Sequence, residues 1–456
     1  MRRRASACSR PRASLLAALA LGLAACSSLA GHYVLVDQRI AHGRYAEADA
    51  LVAHGESVYG GRNAVLYDLD RAMTLHLAGR YAESNTYLAR AEDRIDALYT
   101  VSLHREAGAF LTNDTTLPYE GEDFEKVMIN VIAALNYVSL DRLDDALVEV
   151  RKVDQKLNVF NDRYEKKNVY KEDAFARYLS GILYEARGEL NDALVDYRRA
   201  YASYRDYEKQ YQTPMPPGLP ADILRTAEAL GATDVVDEYR KLFPATGWTP
   251  YRRLRQTSQV VFISLNGLSP IKEDLFVTVP LPDHQGVYPF RLAFPRFVSR
   301  PVDVAYADVQ LPNGSRVVAW GRTARVEDVT AIARKNLDDR IARISAKAIA
   351  RAVAKYAAAE ATERAAKKSK NEGVEVMAGL ITKVYGVVSE QADKRSWRTL
   401  PGEIQLARIE VPPGSYTLAV NYYSRGGALV VRRSFETFEL RAGQTRFFCQ
   451  RVVGSS

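Results

Sequence analysis

The chain has 456 residues, of which 47% are apolar and 26% are charged, and its formal charge is +8. These are ordinary values for a globular protein, and the length predicts two or three domains because a single core rarely grows so large. Five of the basic residues lie in a terminal segment that is predicted to be removed, which leaves 58 basic against 55 acidic residues, so charge gives no argument for nucleic-acid binding.

The first 25 residues predict a secretory signal. Arginines at positions 2, 3, 4, 10 and 12 precede the uncharged apolar run 15–25, which is too short to span a bilayer as a mature helix. The end of this run and the residue after it, Leu23 to Cys26, resemble the lipobox of bacterial lipoproteins. That resemblance implies cleavage before Cys26, a diacylglycerol (palmitate-type) anchor on its sulfur and acylation of the new amine.

Such an anchor places the mature protein at a membrane, because two or more lipid chains bind stably where one does not. Ser27 stands where aspartate would imply inner-membrane retention, so the resemblance predicts the outer membrane and the periplasmic face. Cys449 is the other cysteine of the mature chain, and no intramolecular disulfide is expected if Cys26 carries lipid. The alternative is an ordinary cleaved signal followed by an accidental cysteine.

Residues 26–245 contain a recurring pattern. Turn residues at Gly43, Gly79, Asp141 and Gly188 are each followed two positions later by Tyr or Leu, and three further on by Ala or Ser. Around the last copy, the spacing from Gly181 to Ala200 resembles a tetratricopeptide (TPR) repeat, in which small residues let two helices pack closely. The turn residues are 36, 62 and 47 positions apart, so the sequence predicts an irregular TPR-like α-solenoid.

Helical arrays of this kind usually present a concave surface to a peptide or partner protein. By fold analogy we therefore expect protein binding, with the alternative that the array only packs against the second half as a collar. Candidate contact residues lie in the insertion 111–127; they are Asn113, Asp114, Tyr119, Glu120 and Glu122. Their oxygens match no EF-hand spacing, so turn formation and helix capping are the competing interpretation and no metal is predicted.

A linker is predicted at 246–257, and strands follow. Short β-branched and aromatic runs divided by turn residues occupy 258–325 and 402–453, which we interpret as one β-sandwich. Between them, 326–400 predicts an inserted hairpin of two amphipathic helices, the second running from 374 to 397. Residues 331–370 carry eleven Lys or Arg against four Asp or Glu. A basic amphipathic helix of this kind can lie on an anionic membrane or pack on a partner. We favour the alternative that its apolar side covers the sandwich or the helical array.

Three segments, 111–137, 264–274 and 390–418, together resemble a poorly characterised family of bacterial lipoproteins with a TPR-type amino half and a β-rich carboxyl half. The resemblance implies an α+β multidomain fold and an envelope location, and it brings no known activity or substrate.

No catalytic or phosphate-binding motif is found, and we predict neither enzymatic activity nor a cofactor. Ser269 and Lys272 match an SxxK nucleophile pair in spacing, but Pro270 prevents the helix that this chemistry needs. The leading hypothesis is a lipid-anchored scaffold that docks envelope proteins of unknown identity and has no small-molecule substrate. The alternatives are a subunit of a secretion or surface-assembly complex and a peptidoglycan- or glycan-binding protein, for which the candidate aromatic residues are Tyr416, Tyr422 and Tyr423.

Overall fold

The computed structural model describes residues 29–105, 115, 117–163, 170, 172–283, 286–342, 344–346, 349–350 and 392–454. The amino half is helical. Its helices are α1 (Leu29–Ala41), α2 (Tyr45–His54), α3 (Glu56–Tyr59), α4 (Ala64–Leu77), α5 (Tyr81–Arg105), α6 (Asp123–Ser139), α7 (Leu143–Arg163), α8 (Ala174–Arg187), α9 (Leu190–Tyr211), α10 (Leu219–Leu230), α11 (Thr233–Leu242) and α12 (Tyr251–Leu254).

Consecutive helices pair as α1/α2, α4/α5, α6/α7, α8/α9 and α10/α11, and each pair turns through a residue with positive φ. Those residues are Gly43, Gly79, Asp141, Gly188 and Gly231. The first four are the turn residues that the sequence pattern identified, so the predicted turns are confirmed. The close approach predicted at Gly181 is confirmed too, since a Cβ added there would lie 2.4 Å from Cδ1 of Tyr197 in α9.

The described residues of the carboxyl half form strands and one further helix. The strands are β1 (Ser258–Asn266), β2 (Ile271–Asp283), β3 (Gly286–Val298), β4 (Tyr306–Asn313), β5 (Arg316–Arg322), β6 (Ala324–Glu327), β7 (Glu403–Val411), β8 (Gly414–Tyr416), β9 (Ala419–Tyr423), β10 (Leu429–Ser434), β11 (Phe438–Leu440) and β12 (Thr445–Val452). Helix α13 follows β6 and occupies residues 329–342.

Two four-stranded sheets form, in the orders β12-β1-β7-β6 and β10-β9-β4-β5, while β2–β3 and β8–β11 form separate pairs. We call β12-β1-β7-β6 the inner sheet and β10-β9-β4-β5 the outer sheet. Strand β1 is parallel to β12 and antiparallel to β7. All nine residues of β1 are buried, so the inner sheet has no solvated face along this strand.

Alternate residues of the inner sheet enter different cores. Val261 and Ile263 belong to a large apolar cluster shared with the helices, whereas Val260 and Phe262 belong to a second cluster shared with the outer sheet. The molecule is therefore layered as helices, inner sheet and outer sheet. This α+β arrangement agrees with the predicted fold class.

The predicted inserted hairpin, 326–400, differs from the structure at both ends. Strand β6 extends to Glu327, and residues 392–397, predicted to end the second helix, are not helical. That part of the prediction is wrong because the segment is fixed by contacts distant in sequence: the Trp397 amide donates to Glu125 Oε1 at 2.7 Å and Thr399 Oγ1 donates to Asp70 Oδ1 at 2.8 Å. The rest of the predicted second helix, 374–391, lies outside the described residues.

Candidate functional site

The inner face of the helical array is covered by the chain itself. The first helices of successive pairs meet the β-rich half: Asp70 of α4 accepts from Thr399, and Glu185 of α8 accepts from Nη2 of Arg408 in β7 at 2.8 Å. Tyr204 of α9 donates to the carbonyl oxygen of Val326 at 3.0 Å. The surface on which a partner was expected by analogy is thus packed against the protein's own inner sheet.

A buried ionic cluster joins the two halves at one end. Arg408 Nη1 lies 2.8 Å from Asp222 Oδ2, and Arg225 Nε donates to Glu185 Oε1 at 2.6 Å. Burial alone would raise the pKa of Glu185, but the guanidiniums of Arg225 and Arg408 lower this pKa to about 2. Every charge in this cluster is paired inside the molecule, which makes it a structural connection rather than a ligand site.

The predicted contact loop lies at the opposite end of the same interface. Tyr119 is buried, and its hydroxyl donates to Glu125 Oε2 at 2.5 Å. Glu122 caps α6, where its carboxylate contacts Lys272 of β2 and Arg340 of α13, the latter at 2.6 Å. Tyr119 and Glu122 are therefore engaged within the chain, as the capping interpretation expects.

The remaining candidates are placed differently. Glu120 is half-buried beside them, whereas Asn113, Asp114 and Cys26 lie outside the described residues. The pKa values of the two carboxylates at the start of α6, Glu122 and Glu125, are shifted in opposite directions. Burial raises the pKa of Glu125 to about 7, with a contribution from nearby Glu122, while Lys272 and Arg340 overcome burial and hold the pKa of Glu122 at about 2.

Beside this loop, a cleft of about 1140 Å³ opens between the two halves. One wall comes from α1, the turn 59–63 and α4; the other comes from the start of β2 and the segment 392–398. The apolar and aromatic side chains that line it are Leu29, Tyr33, Tyr59, Leu66, Pro118, Ile271 and Phe276. We call this cavity the interface cleft; its volume is that of a site for a sizeable ligand.

Charged side chains line the interface cleft as well, with five basic residues against three acidic ones: Arg62, Lys272, Lys394, Arg395 and Arg398 against Glu273, Asp274 and Asp393. Several are paired. Lys394 Nζ lies 2.7 Å from Asp274 Oδ2, and Arg395 Nη2 lies 2.6 Å from Asp393 Oδ2. Arg62 is exposed and has no ion-pair partner among the described residues.

At the back of the interface cleft, Asp70 Oδ2 accepts the hydroxyls of Tyr33 at 2.6 Å and Tyr59 at 3.0 Å. Burial raises the pKa of Asp70 to about 6, against these hydrogen bonds, which lower it. Ser396 is 2% exposed, and its hydroxyl has no hydrogen-bond partner within the described part of the chain. The hydroxyls of Tyr211, Thr213, Ser258 and Tyr422 are also buried without a partner in the described residues, so what distinguishes Ser396 is its place in the lining of the cleft.

A second candidate surface lies on the far side of the molecule, on the solvent face of the outer sheet. Tyr306 of β4 pairs with Tyr423 of β9, and their rings stack at 5.3 Å with an interplanar angle of 22°. The Arg322 guanidinium lies 4.0 Å from the centroid of the Tyr306 ring, and Trp320 of β5 is 62% exposed. We call Tyr306, Trp320, Arg322 and Tyr423 the aromatic face.

The polar groups of the aromatic face form a cross-strand row. Arg322 makes a bidentate pair with Asp308, at 2.7 and 3.0 Å, and Arg432 Nε donates to Asn421 Oδ1 at 2.7 Å. Asp308 and Asn421 are register partners, so the row crosses the whole sheet. Such a rigid row limits the rotamers of its side chains before any ligand arrives.

The sequence identified this face only in part. Tyr423 lies on it, whereas Tyr416 and Tyr422 are buried in the cluster between the sheets, so their assignment to a glycan-binding face is wrong. Trp320 was missed, although the pattern of 316–322 predicts a strand with Trp320 and Arg322 on one side. The cleft residues of 392–398 were missed because this segment was assigned to a helix.

Other chemistry is limited within the described residues. Ser269 donates its hydroxyl to the Trp397 carbonyl at 2.8 Å, and Lys272 contacts Glu122, so the two do not form a nucleophile pair. No group of three or more His, Cys, Asp or Glu side chains in the described ranges is placed to hold a metal ion. Of the described helices, none combines the length and hydrophobicity that a membrane span needs.

No protein-family model and no curated protein matches the chain. Solved structures similar to it include MamA from AMB-1, at 15% identity and a TM-score of 0.27 over 47% of this chain and 92% of that one. Another is a Podosopora anserina kinesin light chain with nearly identical TPR-like repeats, at 12% identity, with a TM-score of 0.30, over 47% and 94%. The Rap conjugation regulator of plasmid pLS20, solved with the Phr* peptide, is 14% identical, with a TM-score of 0.28. That match covers 47% of this chain and 54% of the regulator.

Proposed function

We propose that the protein is a non-enzymatic scaffold of the bacterial envelope, anchored through lipid on Cys26 to the periplasmic face of the outer membrane. The run Leu23–Cys26 after a basic and apolar leader supports the anchor. The two sheets with a shared core support a β-sandwich as the module that the helical repeats hold in place.

The observation that carries the scaffold proposal is the division between covered and free surfaces. The inner helices are packed against the inner sheet, so a partner docks elsewhere. The aromatic face offers the exposed side chains of Trp320 and Arg322 beside two half-buried Tyr rings, and Trp, Tyr and Arg are the residue types that contribute most to binding energy at protein interfaces. We therefore assign partner docking to the aromatic face and a supporting role to the helical array.

Site-specific photocrosslinking in intact envelopes tests this assignment. A photoreactive residue at Trp320 should give one discrete adduct, whereas the same residue at Leu242, a position on α11 that is also exposed, should give none. The Trp320→Ala variant of the purified protein should then bind the identified partner at least tenfold more weakly, at unchanged thermal stability. Equal adducts at both positions, or equal affinity of the variant, would contradict the assignment.

The lipid anchor has its own test. Wild-type protein should incorporate radiolabelled palmitate and fractionate with the outer membrane, and Cys26→Ser should do neither. Cys449→Ser is the matched control and should be labelled normally, since its side chain lies at the inner sheet rather than at the processed terminus.

A second candidate function follows from the ring geometry of the aromatic face. Stacked tyrosines, a neighbouring exposed Trp and a row of amide, carboxylate and guanidinium groups also suit a sugar ring, which combines an apolar face with peripheral hydroxyls. This version predicts that the protein sediments with purified peptidoglycan sacculi and that Trp320→Ala does not. Failure of the wild type to sediment excludes it and leaves the protein-docking assignment in place.

A further inference from the structure

We propose that the interface cleft binds an anionic amphiphile, namely a phospholipid with an anionic headgroup, at the membrane to which the protein is anchored. This proposal rests on the envelope anchor proposed above for its location. Its chemistry rests on the cleft itself, which combines apolar walls with the exposed guanidinium of Arg62, unpaired within the described residues, and the buried hydroxyl of Ser396.

Position supplies the first argument. Leu29 lines the cleft and is three residues from Cys26. Three residues span at most about 11 Å when fully extended, so an acylated Cys26 holds the cleft next to the lipid headgroups. Any lipid bound in the cleft would have only a short distance to travel from the bilayer.

Exposed apolar side chains also lie near the opening of the interface cleft. Phe276 lines the cleft and is 47% exposed, and its neighbours Leu275 and Val277 are 44% and 41% exposed. Three consecutive exposed apolar residues are unusual on a strand, whose side chains alternate between two faces. Because of that alternation only Phe276 faces the cleft, and its exposed ring extends the apolar wall to the opening, which a purely polar ligand would not need.

The polar groups then select the charge of the ligand. Arg62 is exposed at the rim without an ion-pair partner in the described ranges, so it is available to an anionic headgroup. Ser396 has a buried hydroxyl that lines the cleft without a partner, and a phosphate oxygen would accept its hydrogen. The Arg398 guanidinium lies 4.5 Å from the centroid of the Tyr33 ring and is paired with Asp37 Oδ2 at 2.9 Å, so the headgroup charge is assigned to Arg62.

An acidic peptide of a partner protein would also meet positive charge here. The lipid is favoured because the exposed Phe276 ring lies at the cleft and because Leu29, which lines it, is three residues from Cys26 in the sequence. Neither feature is required to recognise a peptide. The two ligands are separated by the experiment below.

The test uses the full mature chain with Cys26→Ser, so that binding is measured without the covalent anchor. Flotation with phosphatidylcholine vesicles, with and without phosphatidylglycerol, should show recruitment only to the anionic vesicles. Short-chain phosphatidylglycerol, below its micelle concentration, should compete, whereas inorganic phosphate and an acidic hexaglutamate peptide should not. Palmitate labelling of wild-type protein reports on the anchor separately, so failure of the cleft proposal and failure of the anchor are distinguishable.

Two cleft variants identify the site. Arg62→Gln should weaken binding about fivefold, the effect of one basic residue at an anionic surface, while Arg441→Gln, an exposed arginine outside the cleft, should change it less than twofold. Ser396→Ala should weaken binding of short-chain lipid several-fold without lowering the unfolding midpoint, because it removes a buried group that has no partner in the free protein. A purely structural serine would not give that combination.

The proposal is overturned if recruitment is equal on neutral and anionic vesicles, or if both cleft variants bind as the parent does. Competition by inorganic phosphate as strong as by short-chain lipid also overturns it, since the apolar walls would then contribute nothing. Binding of the acidic peptide without binding of lipid assigns the cleft to a protein partner instead.

Discussion

Arg408 of β7 lies 2.8 Å from Asp222 of α10, with both side chains almost wholly buried between the helices and the inner sheet. Arg408 also donates to Glu185 of α8 at 2.8 Å. A buried charge that loses its partner typically costs 3–5 kcal/mol, so this cluster makes the two halves dependent on each other. We therefore expect the helical array and the β-rich half to unfold together.

Acid should weaken this connection. The pKa of Glu185 is held at about 2, below its ordinary value of 4.5, so its stabilising charge is complete above pH 4.5 and is lost as the pH falls toward 2. We expect Glu185→Gln to be destabilised relative to wild type at pH 7, and the difference to shrink by about 3 kcal/mol between pH 4.5 and pH 2. Urea unfolding of both proteins across this range measures it; a difference independent of pH would contradict the assigned charge state.

Gly181→Ala should destabilise the helical half. Alanine favours a helix by about 1 kcal/mol over glycine, but the new Cβ would lie 2.4 Å from a ring carbon of Tyr197, which is fully buried and cannot move away freely. We expect overpacking to exceed the propensity gain, with a net loss of about 1–2 kcal/mol in urea unfolding. Gly247→Ala, where nothing lies within 4 Å of the added carbon, should stay within about 0.5 kcal/mol. A stable Gly181→Ala variant would show that the two helices separate easily.

These contacts also explain what the sequence could and could not predict. The turn at Gly188 and the close approach of two helices at Gly181 were predicted because both depend on spacing within one repeat. The segment 392–398 was not, since its conformation depends on partners such as Glu125 and Leu117 that lie far away in the sequence. Local periodicity carries no record of such contacts.

The candidate site divides in the same way. Capping by Glu122 follows from its position just before an apolar helical run, and α6 begins at Asp123 as expected. Its contacts with Lys272 and Arg340 could not be predicted, because they depend on how the halves meet. Exposure of Trp320 likewise depends on which side of the outer sheet faces the inner one.

Tyr119→Phe should loosen the loop between α5 and α6. The variant keeps the ring but removes a hydroxyl that donates to the buried Glu125 carboxylate, and a hydrogen bond to a charged group contributes about 1.5–3 kcal/mol. We expect a loss of that size in urea unfolding at pH 8, where Glu125 is largely ionised. Tyr137→Phe, at a half-buried position in α6, is the control and should lose less than about 0.5 kcal/mol. Equal losses in the two variants would mean that the hydroxyl of Tyr119 does not support the interface.

Asp70 should give a pH dependence of the opposite sign to Glu185. Burial raises its pKa from 3.8 to about 6, so the folded protein binds a proton more tightly than the unfolded chain does. Protonation of Asp70 therefore stabilises the folded state relative to the unfolded chain at pH 4. That contribution, about 3 kcal/mol, is lost as the pH rises through 6. Asp70→Asn has no such titration, so its stability relative to wild type should improve by this amount from pH 4 to pH 7. Asp237→Asn, on the exposed side of α11, is the matched control, and a change as large as that of Asp70→Asn would mean that the pH dependence does not come from Asp70. If Asp70→Asn instead becomes relatively less stable toward pH 7, the hydrogen bonds from Tyr33, Tyr59 and Thr399 outweigh burial and hold the pKa of Asp70 below its ordinary value.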